Sequence, residues 1–294
     1  MTSIGEYAFS SCESIEDITI PSTMSNLTLG IFSKCSSLRT ISIPENIKKI
    51  QLEAFAYCSN LKSVEIGKGV EIIQGSVFKG CTSLTTIAVH EENEFFTVDN
   101  NVLYSKDKKE LIQYPLAAQM KEYQTLETTT SMDNYAFKGS AHLEVLIFTS
   151  SISAIPTGAV ANSKKLKTVK IEGTIKSIGG NAFAGCTSLE TIEYSGTDEP
   201  ETCGSNLFNE IKSTTVTVTE DFIGDDFCGK DVVKNTIDST DEKPEEVNEL
   251  SGGEVAAIVI GSIIGVCVFV ALFMIVVVFF LKKFKPTKSS YQDV

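Results

Sequence analysis

Cysteine is the residue type whose spacing most suggests chemistry in this chain. Four cysteines recur at a constant interval, and a fifth resumes their register farther along: Cys12, Cys35, Cys58, Cys81 and Cys186. Thiols at one position of successive repeats lie close enough to form a disulfide or hold a metal ion. Ser140 and Ser163 stand at the same position in other repeats, so the position requires only a small residue. We therefore interpret these cysteines as buried free thiols and predict no metal site and no cofactor.

Two further cysteines, Cys203 and Cys228, lie outside this register, in a segment at 203–228 that we expect to cap the repeats. In an extracellular protein they would pair and clamp the last repeat. The sequence does not give the Cα separation that a disulfide requires. A disulfide and two free thiols therefore remain open alternatives.

Side chains arranged for catalysis are not recognisable. The chain has two histidines, His90 and His142, far apart in the sequence, and no nucleophile elbow, phosphate-binding loop, CxxC pair or HExxH motif. A catalytic carboxylate pair needs a cleft that raises one pKa, whereas these acidic residues are scattered. The net charge of −13 would repel nucleic acid. We predict that the protein is not an enzyme and binds no nucleic acid.

The cysteines belong to a longer repeat, F-x-x-C-x-x-L-x-x-I-x-I, that covers much of the chain. Its anchor stands three positions before each cysteine or serine: Phe9, Phe32, Phe55, Phe78, Phe137, Val160 and Phe183. A weaker last unit follows Phe208, with a strand-like run at 214–219. The alternating apolar pair that ends each unit, such as Ile41 and Ile43, is typical of a short strand with one buried face.

A single strand of this kind cannot bury its apolar face, so successive units must stack and share one core. The repeat period, about 23 residues, falls within the range of leucine-rich repeats. We therefore predict a leucine-rich-repeat solenoid over residues 1–228. It would have short parallel β-strands, with short helices or turns at the A-F-x-x-C segments.

An interruption at 90–131 lengthens the spacing between the anchors Phe78 and Phe137 to more than twice the repeat period. Within it, apolar runs at 102–104 and 111–114 flank the polar stretch 106–109. This pattern predicts a β-hairpin with a polar turn. We expect the hairpin to project from the solenoid.

The outward positions of the strands form the candidate binding surface, which we expect on the concave face of the solenoid. They are Asp17, Thr19, Thr40, Ser42, Ser63, Glu65, Thr86, Ala88, Val145, Ile147, Thr168, Lys170, Thr191 and Glu193. Hydroxyl ladders can bind peptide or glycan, although threonine also simply suits strands. Val145 and Ile147 break the polar pattern, which indicates either cover by the hairpin or a binding hot spot; we favour cover.

A membrane anchor is predicted near the C-terminus. Residues 255–281 carry no charged side chain, and this length suffices for a single transmembrane helix in the lipid bilayer. Lysines follow the span and acidic residues precede it, so the N-terminal part should lie outside the plasma membrane and the tail at 282–294 inside. The acidic segment 229–254 should form a flexible stalk. No signal peptide is recognisable at the start, which suggests a truncated gene product or insertion directed by the C-terminal span.

Three short motifs add further hypotheses. Ala257, Gly261 and Gly265 form a small-residue face that would allow homodimerisation through the transmembrane helix. The run from Tyr291 to Val294 resembles a sorting signal that clathrin adaptors bind. Asn26 begins an N-x-T sequence that would be glycosylated in the secretory pathway.

The repeats resemble those of the BspA-like family of leucine-rich-repeat proteins, the Treponema type. The segments that carry the resemblance are NAFAGCTSLETIEY (181–194), AFAYCSNLKSVEIGKGVEII (54–73), IFSKCSSLRTISIPENIKKI (31–50) and the interruption NNVLYSKDKKELIQYP (100–115). The resemblance implies a right-handed solenoid of strands and short helices. It also implies a surface protein that adheres to host or extracellular protein, with membrane-anchored members typical of parasitic protists.

The resemblance and the anchor together predict a cell-surface adhesion module that binds a host or extracellular protein. Two alternatives remain open. One is an endocytic or signalling receptor that uses the tail motif. The other is a truncated repeat fragment without an independent role.

Overall fold

The computed structural model describes residues 4–235. The predicted transmembrane segment 255–281 and tail 282–294, with Ala257, Gly261, Gly265, Tyr291 and Val294, lie outside the described residues, as does most of the predicted stalk. Within 4–235, no helix is long and apolar enough to cross a membrane.

The described residues form a parallel β-solenoid of short strands. In chain order they are β1 (Asn26–Leu27), β2 (Thr40–Ile43), β3 (Lys49–Ile50), β4 (Ser63–Ile66), β5 (Ile72–Ile73), β6 (Thr86–Val89), β7 (Phe96–Asp99), β8 (Val102–Ser105), β9 (Glu110–Gln113), β10 (Glu122–Gln124), β11 (Ser131–Met132), β12 (Val145–Phe148), β13 (Ala154–Ile155), β14 (Thr168–Ile171), β15 (Ser177–Ile178), β16 (Thr191–Tyr194), β17 (Thr202–Cys203), β18 (Thr215–Val218), β19 (Asp226–Phe227) and β20 (Lys230–Lys234).

The strands stack in two series, one of longer strands and one of two-residue strands. The longer strands form the sheets β2-β4-β6 and β10-β12-β14-β16-β18-β20, and the short strands form β1-β3-β5 and β13-β15-β17. Pairing follows the sequence period, since Thr40 pairs with Ser63 and Ser63 with Thr86. The predicted first strand, around Ile18 and Ile20, is not part of the ladder; a backbone hydrogen bond of 3.0 Å from Arg39 N to Glu16 O joins it to the next turn.

The A-F-x-x-C segments form turns, and the short helices allowed for in the sequence-based prediction do not occur within residues 4–235. Each turn holds two residues at positive φ, such as Glu53 (56°) and Tyr57 (61°), which an α-helix does not tolerate. Backbone N–H groups instead bond across to the next turn, as from Phe32 N to Ala54 O at 2.9 Å. The stacking of turns thus replaces helical hydrogen bonds.

The anchor residues stack in the core behind the sheets. The rings of Phe9, Phe32, Phe55 and Phe78 lie parallel, with centroids 5.5–5.8 Å apart. From Cys35 onward, each cysteine of the column donates its S–H to the carbonyl of the anchor one turn earlier, as Cys58 does to Phe32 O at 3.1 Å. Ser163 donates to Phe137 O at 3.0 Å in the same way. The position therefore suits a small residue that donates a hydrogen bond, and both cysteine and serine can do so.

The interruption contains the predicted hairpin, but the hairpin does not project. β8 and β9 pair antiparallel and join β7 and β11 in one sheet. Val102, Tyr104 and Leu111 face the core of the C-terminal turns, whereas Leu103 and Ile112 face the core of the N-terminal turns. Consecutive apolar residues bury a strand on both faces. The hairpin is therefore a partition between two cores.

A further repeat unit lies within the interruption, and the sequence pattern did not reveal it. Tyr114 stands one repeat period before Phe137, and the two rings pack with centroids 5.0 Å apart. β10 follows Tyr114 and pairs parallel with β12, with Tyr123 opposite Leu146. The unit carries Tyr, Ala, Met and Tyr where the consensus has Phe, Cys, Leu and Ile. The solenoid thus resumes at Tyr114.

The C-terminal end of the described solenoid is a disulfide-linked cap. Cys203 and Cys228 form a disulfide with their Cα atoms 5.6 Å apart. The sequence assigned 229–254 to a flexible stalk, but residues 230–234 form β20, which pairs with β18 and β19. The assignment fails there because Val232 pairs with Val216 and packs against the core.

Candidate functional site

The outward side chains of the longer strands form a polar surface in two halves, here called the strand face. Along β2, β4 and β6, buried and outward residues alternate. The exposed or half-buried outward positions are Asp17, Thr19, Thr40, Ser42, Ser63, Glu65, Thr86, Ala88, Val145, Thr168, Lys170, Thr191 and Glu193. Parallel pairing aligns the positions from Thr40 to Ala88 in one sheet and those from Val145 to Glu193 in another, whereas Asp17 and Thr19 lie in no strand.

The N-terminal half of the strand face is acidic and rich in hydroxyls. Its eight predicted positions, from Asp17 to Ala88, include two carboxylates and no basic residue. Ser42 donates a hydrogen bond of 3.1 Å to Glu65 Oε2, and Thr40 lies 3.5 Å from Asp17 Oδ1. Hydroxyls thus hold the carboxylates in place on an otherwise open surface. This half suits a partner that presents basic or hydrogen-bond-donating groups.

The C-terminal half of the strand face carries paired charges. Lys170 and Glu193 form an ion pair of 2.8 Å between neighbouring strands, and the Glu193 carboxylate raises the pKa of Lys170. Glu122 and Gln124 of β10 extend this half. They were not predicted, because their repeat unit was not recognised.

Ile147 does not form an exposed hot spot. It is only 8% exposed, and Val145 is half-buried. In the sheet, Ile147 pairs with Gln124 on one side and with Lys170 on the other. The longer side chains of β10 and β14 therefore flank it, rather than the hairpin that we expected to cover it.

The turns on either side of the hairpin meet at a seam. Asp133 accepts hydrogen bonds from Ser76 N at 3.2 Å and from Asn134 N at 3.1 Å. Burial raises the pKa of Asp133 to about 6, and Glu110 adds to this rise. Asp133 lies in the turns, away from the strand face. We assign it a structural role, because it joins the N-terminal and C-terminal turns.

Two lysines and two tyrosines pack at the same seam. Lys79 Nζ lies 4.1 Å from the ring centroid of Tyr135 and 5.6 Å from that of Tyr57. Lys138 Nζ lies 5.2 Å from the ring centroid of Tyr135. Lys79 also forms an ion pair of 3.4 Å with Glu53 and is only 14% exposed. These contacts stabilise the junction through cation–π attraction.

A charged groove of about 870 Å³ lies where the chain leaves β2, β4 and β6. Lys68 bridges Glu45 at 3.5 Å and Glu92 at 3.1 Å there, and Asn93 lies at its base. These two ion pairs are exposed, so each contributes little free energy. No group of three or more His, Cys, Asp or Glu residues within 4–235 is arranged to hold a metal ion.

The predicted glycosylation position, Asn26, is exposed in β1. Thr28, the third residue of its N-x-T sequence, donates its hydroxyl to Gly5 O at 3.0 Å. Modification of Asn26 remains a prediction.

Comparison with known proteins accounts for this architecture. A family model described as BspA type Leucine rich repeat region matches in six copies, over residues 1–108 and 116–227. The chain belongs to this family. Leucine-rich-repeat solenoids of this kind are in general protein-interaction modules and not enzymes.

Solved BspA-type structures share the fold. A leucine rich cell surface protein from Faecalibacterium prausnitzii matches with a TM-score of 0.59 and 26% identity, over 72% of this chain and 61% of its own. A leucine-rich-repeat protein from Eubacterium ventriosum matches with a TM-score of 0.59 and 23% identity, over 79% of this chain and 69% of its own. This chain thus spans less than two thirds of the first of these proteins. No curated protein matches it.

Proposed function

We propose that this BspA-type solenoid is a cell-surface adhesion module whose strand face binds a host or extracellular protein. The observation that carries the proposal is the geometry of the strand face. Stacked strands present two rows of outward hydroxyls and carboxylates, and the pairing register advances by one repeat period from strand to strand. Extended polar faces of solenoids are suited to binding protein surfaces.

The chemistry of the strand face favours binding over catalysis. Its carboxylates, such as Glu65 and Glu193, engage neighbouring side chains on an open sheet. An acid–base catalyst instead needs a desolvated pocket. The described carboxyl whose pKa burial raises to about 6 is Asp133, which lies in the turns.

Display at the surface is part of the same proposal. The apolar segment 255–281 followed by lysines supports a single-pass anchor with the solenoid outside, as in protist-type members of the family. The cell-surface description of the Faecalibacterium protein is consistent with this location. The anchor would leave the strand face accessible to partners outside the cell.

Binding to an array of secreted and cell-surface ectodomains tests the role of the strand face. A triple variant, Thr40→Lys, Glu65→Lys and Thr86→Lys, would place three ammonium groups on the acidic half. The matched control, Asn60→Lys, Glu13→Lys and Thr82→Lys, changes the same charges at exposed positions outside the strand face. We expect the first variant to lose binding at least about tenfold, as for disrupted hot spots, and the control to retain it. Binding to no ectodomain, or equal binding by both variants, would contradict the proposal.

Topology in the native cell tests the display. An epitope tag after Met1 should be stained on intact cells, and a tag after Val294 only after permeabilisation. Absence of the first tag from intact cells would exclude a surface role. The receptor alternative predicts that Tyr291→Ala slows uptake from the surface, whereas the adhesion module predicts unchanged attachment after removal of 282–294.

A further inference from the structure

A second groove, separate from the strand face, runs along the turns of the C-terminal half. It has a volume of about 280 Å³, and asparagines from three successive turns line it, namely Asn162, Asn181 and Asn209. Lys138 and Tyr135 lie at one end of the groove and Glu210 lies at the other. At one rung per turn, the groove covers roughly 14 Å along the solenoid.

The asparagine amides in this groove are free to bind a ligand. Their three side chains are exposed, and within residues 4–235 none of them makes a side-chain hydrogen bond. The backbone of the turns is already used, since Asn162 N bonds to Ala184 O at 2.8 Å and Gly185 N to Asn209 O at 2.9 Å. The unpaired groups in the groove are therefore amide N–H and C=O groups in adjacent turns.

Backbone geometry explains only part of this amide row. Asn162 and Asn181 have φ values of 61° and 57°, a region that asparagine tolerates better than most residues. Asn209 is not at positive φ, so its amide has no such backbone reason.

Gly185 keeps the groove open. A Cβ added at Gly185 would collide with Asn162 Oδ1 and lie 3.1 Å from Asn162 Cγ. Glycine at this position therefore leaves room for the Asn162 amide to lie against the turn.

We propose that this groove, here called the amide groove, binds an oligosaccharide. Each primary amide presents a donor and an acceptor side by side, which matches a pair of neighbouring sugar hydroxyls. Apart from the Tyr135 ring at one end, the apolar lining consists of small residues such as Ala161 and Ala184, so between its ends the groove has no pocket for the large anchor that a peptide ligand would require. Lys138 would bind an acidic group of the sugar at its end of the groove.

Glycan binding by the full 294-residue chain tests the proposal. The probe is an array of neutral, sialylated and sulfated oligosaccharides, followed by titration with the oligosaccharides that bind. The test variant is Asn162→Gly combined with Asn181→Gly, because glycine keeps the positive φ and removes only the amides. Asn206→Gly is the matched control, since Asn206 has a φ of 58° but does not line the amide groove.

We expect the unmodified chain and the Asn206→Gly variant to bind the same oligosaccharides. The double variant should bind them at least about tenfold more weakly, because it loses hydrogen bonds from two amides, while its melting temperature matches that of the control. Absence of binding to every oligosaccharide, or equal binding by the double variant, would overturn the proposal. Strand-face variants should leave glycan binding unchanged, so this test is independent of the proposed protein partner.

Discussion

The ring of Tyr135 lies over Gly158, which occupies the same position one turn later. Both residues have positive φ, 62° and 59°, and a Cβ added at Gly158 would collide with the tyrosine ring. Tyr57 stands in the same relation to Gly80, where an added Cβ would lie 2.7 Å from the ring. In both pairs glycine follows tyrosine because the ring occupies the space that the next side chain would need.

Replacement of Gly158 by alanine should therefore destabilise the solenoid by about 3 kcal/mol, since positive φ and overpacking both contribute. Gly139→Ala is the control, because Gly139 has a φ of 79° but only Thr82 Cγ2, at 3.6 Å, near an added Cβ. It should cost only about 1 kcal/mol. Urea denaturation measures both changes, and equal losses would show that the tyrosine contact is unimportant. Removing the ring as well, with Tyr135→Ala, should reduce the additional cost of Gly158→Ala.

Asp133 should make stability depend on pH. Its pKa is raised by burial to about 6 in the folded chain, from a usual value of 3.8. A raised carboxyl pKa means that the folded state binds the proton more tightly, so this contribution is complete below pH 3.8 and is lost as the pH rises through 6. Between pH 4 and 7.5 the native chain should lose about 2–3 kcal/mol relative to Asp133→Asn.

The measurement is the free energy of unfolding of both proteins across that pH range. Asp107→Asn serves as a control of opposite sign, because the Ser105 hydroxyl and the Lys109 backbone N–H lower the pKa of Asp107. A difference between the native chain and Asp133→Asn that does not change with pH would argue against the titration of Asp133.

Asn93 should be essential for the junction between the N-terminal turns and the hairpin. It is fully buried at the position that Ile47 and Val70 occupy in earlier turns. Its amide donates to Gly67 O and Val70 O at 3.0 Å and accepts from Phe96 N at 2.8 Å. Asn93→Val should cost about 3 kcal/mol or more, because these buried groups would lose their partner. Asn60→Val, at an exposed position, should leave the melting temperature nearly unchanged, and similar melting of both variants would refute this role.

The cysteine column should be inert to alkylation. Burial raises the pKa of Cys58 and of Cys186 to about 12, and only the thiolate reacts. Among the five free cysteines within 4–235, Cys12 is the one that is not buried. Iodoacetamide should therefore modify Cys12 alone among them in the native state, as read by peptide mass spectrometry, and all five after denaturation. Rapid native labelling of Cys58 would show that the turns open.

Much of the fold follows from the repeat period, because apolar anchors such as Phe55 and apolar strand pairs such as Ile41 and Ile43 recur at the same positions. The unit at Tyr114 was not recognised because Tyr, Ala, Met and Tyr replace the consensus Phe, Cys, Leu and Ile. The distance from Tyr114 to Phe137 would have indicated it. The burial of the hairpin could also have been predicted, since the apolar run at 102–104 does not alternate with polar residues.

Of the two candidate sites, one could be predicted from the sequence and the other could not. Strand-face residues such as Ser42 and Glu65 could be predicted, because alternation along a strand determines which side chains point outward. The amide groove could not, because Asn162, Asn181 and Asn209 do not share one repeat position. Only the stacking of the turns brings them together.

The disulfide of the cap has a mechanical consequence. Each turn is held by its two neighbours, so a force on an adhesion protein would peel turns from an end, each releasing roughly 75 Å of chain. The bond between Cys203 and Cys228 closes a separation of 25 residues at the end nearest the predicted anchor, where tension would enter. The disulfide would prevent the last turn from extending until the bond is reduced. The redox state of the surroundings would therefore determine how much chain the protein releases under tension.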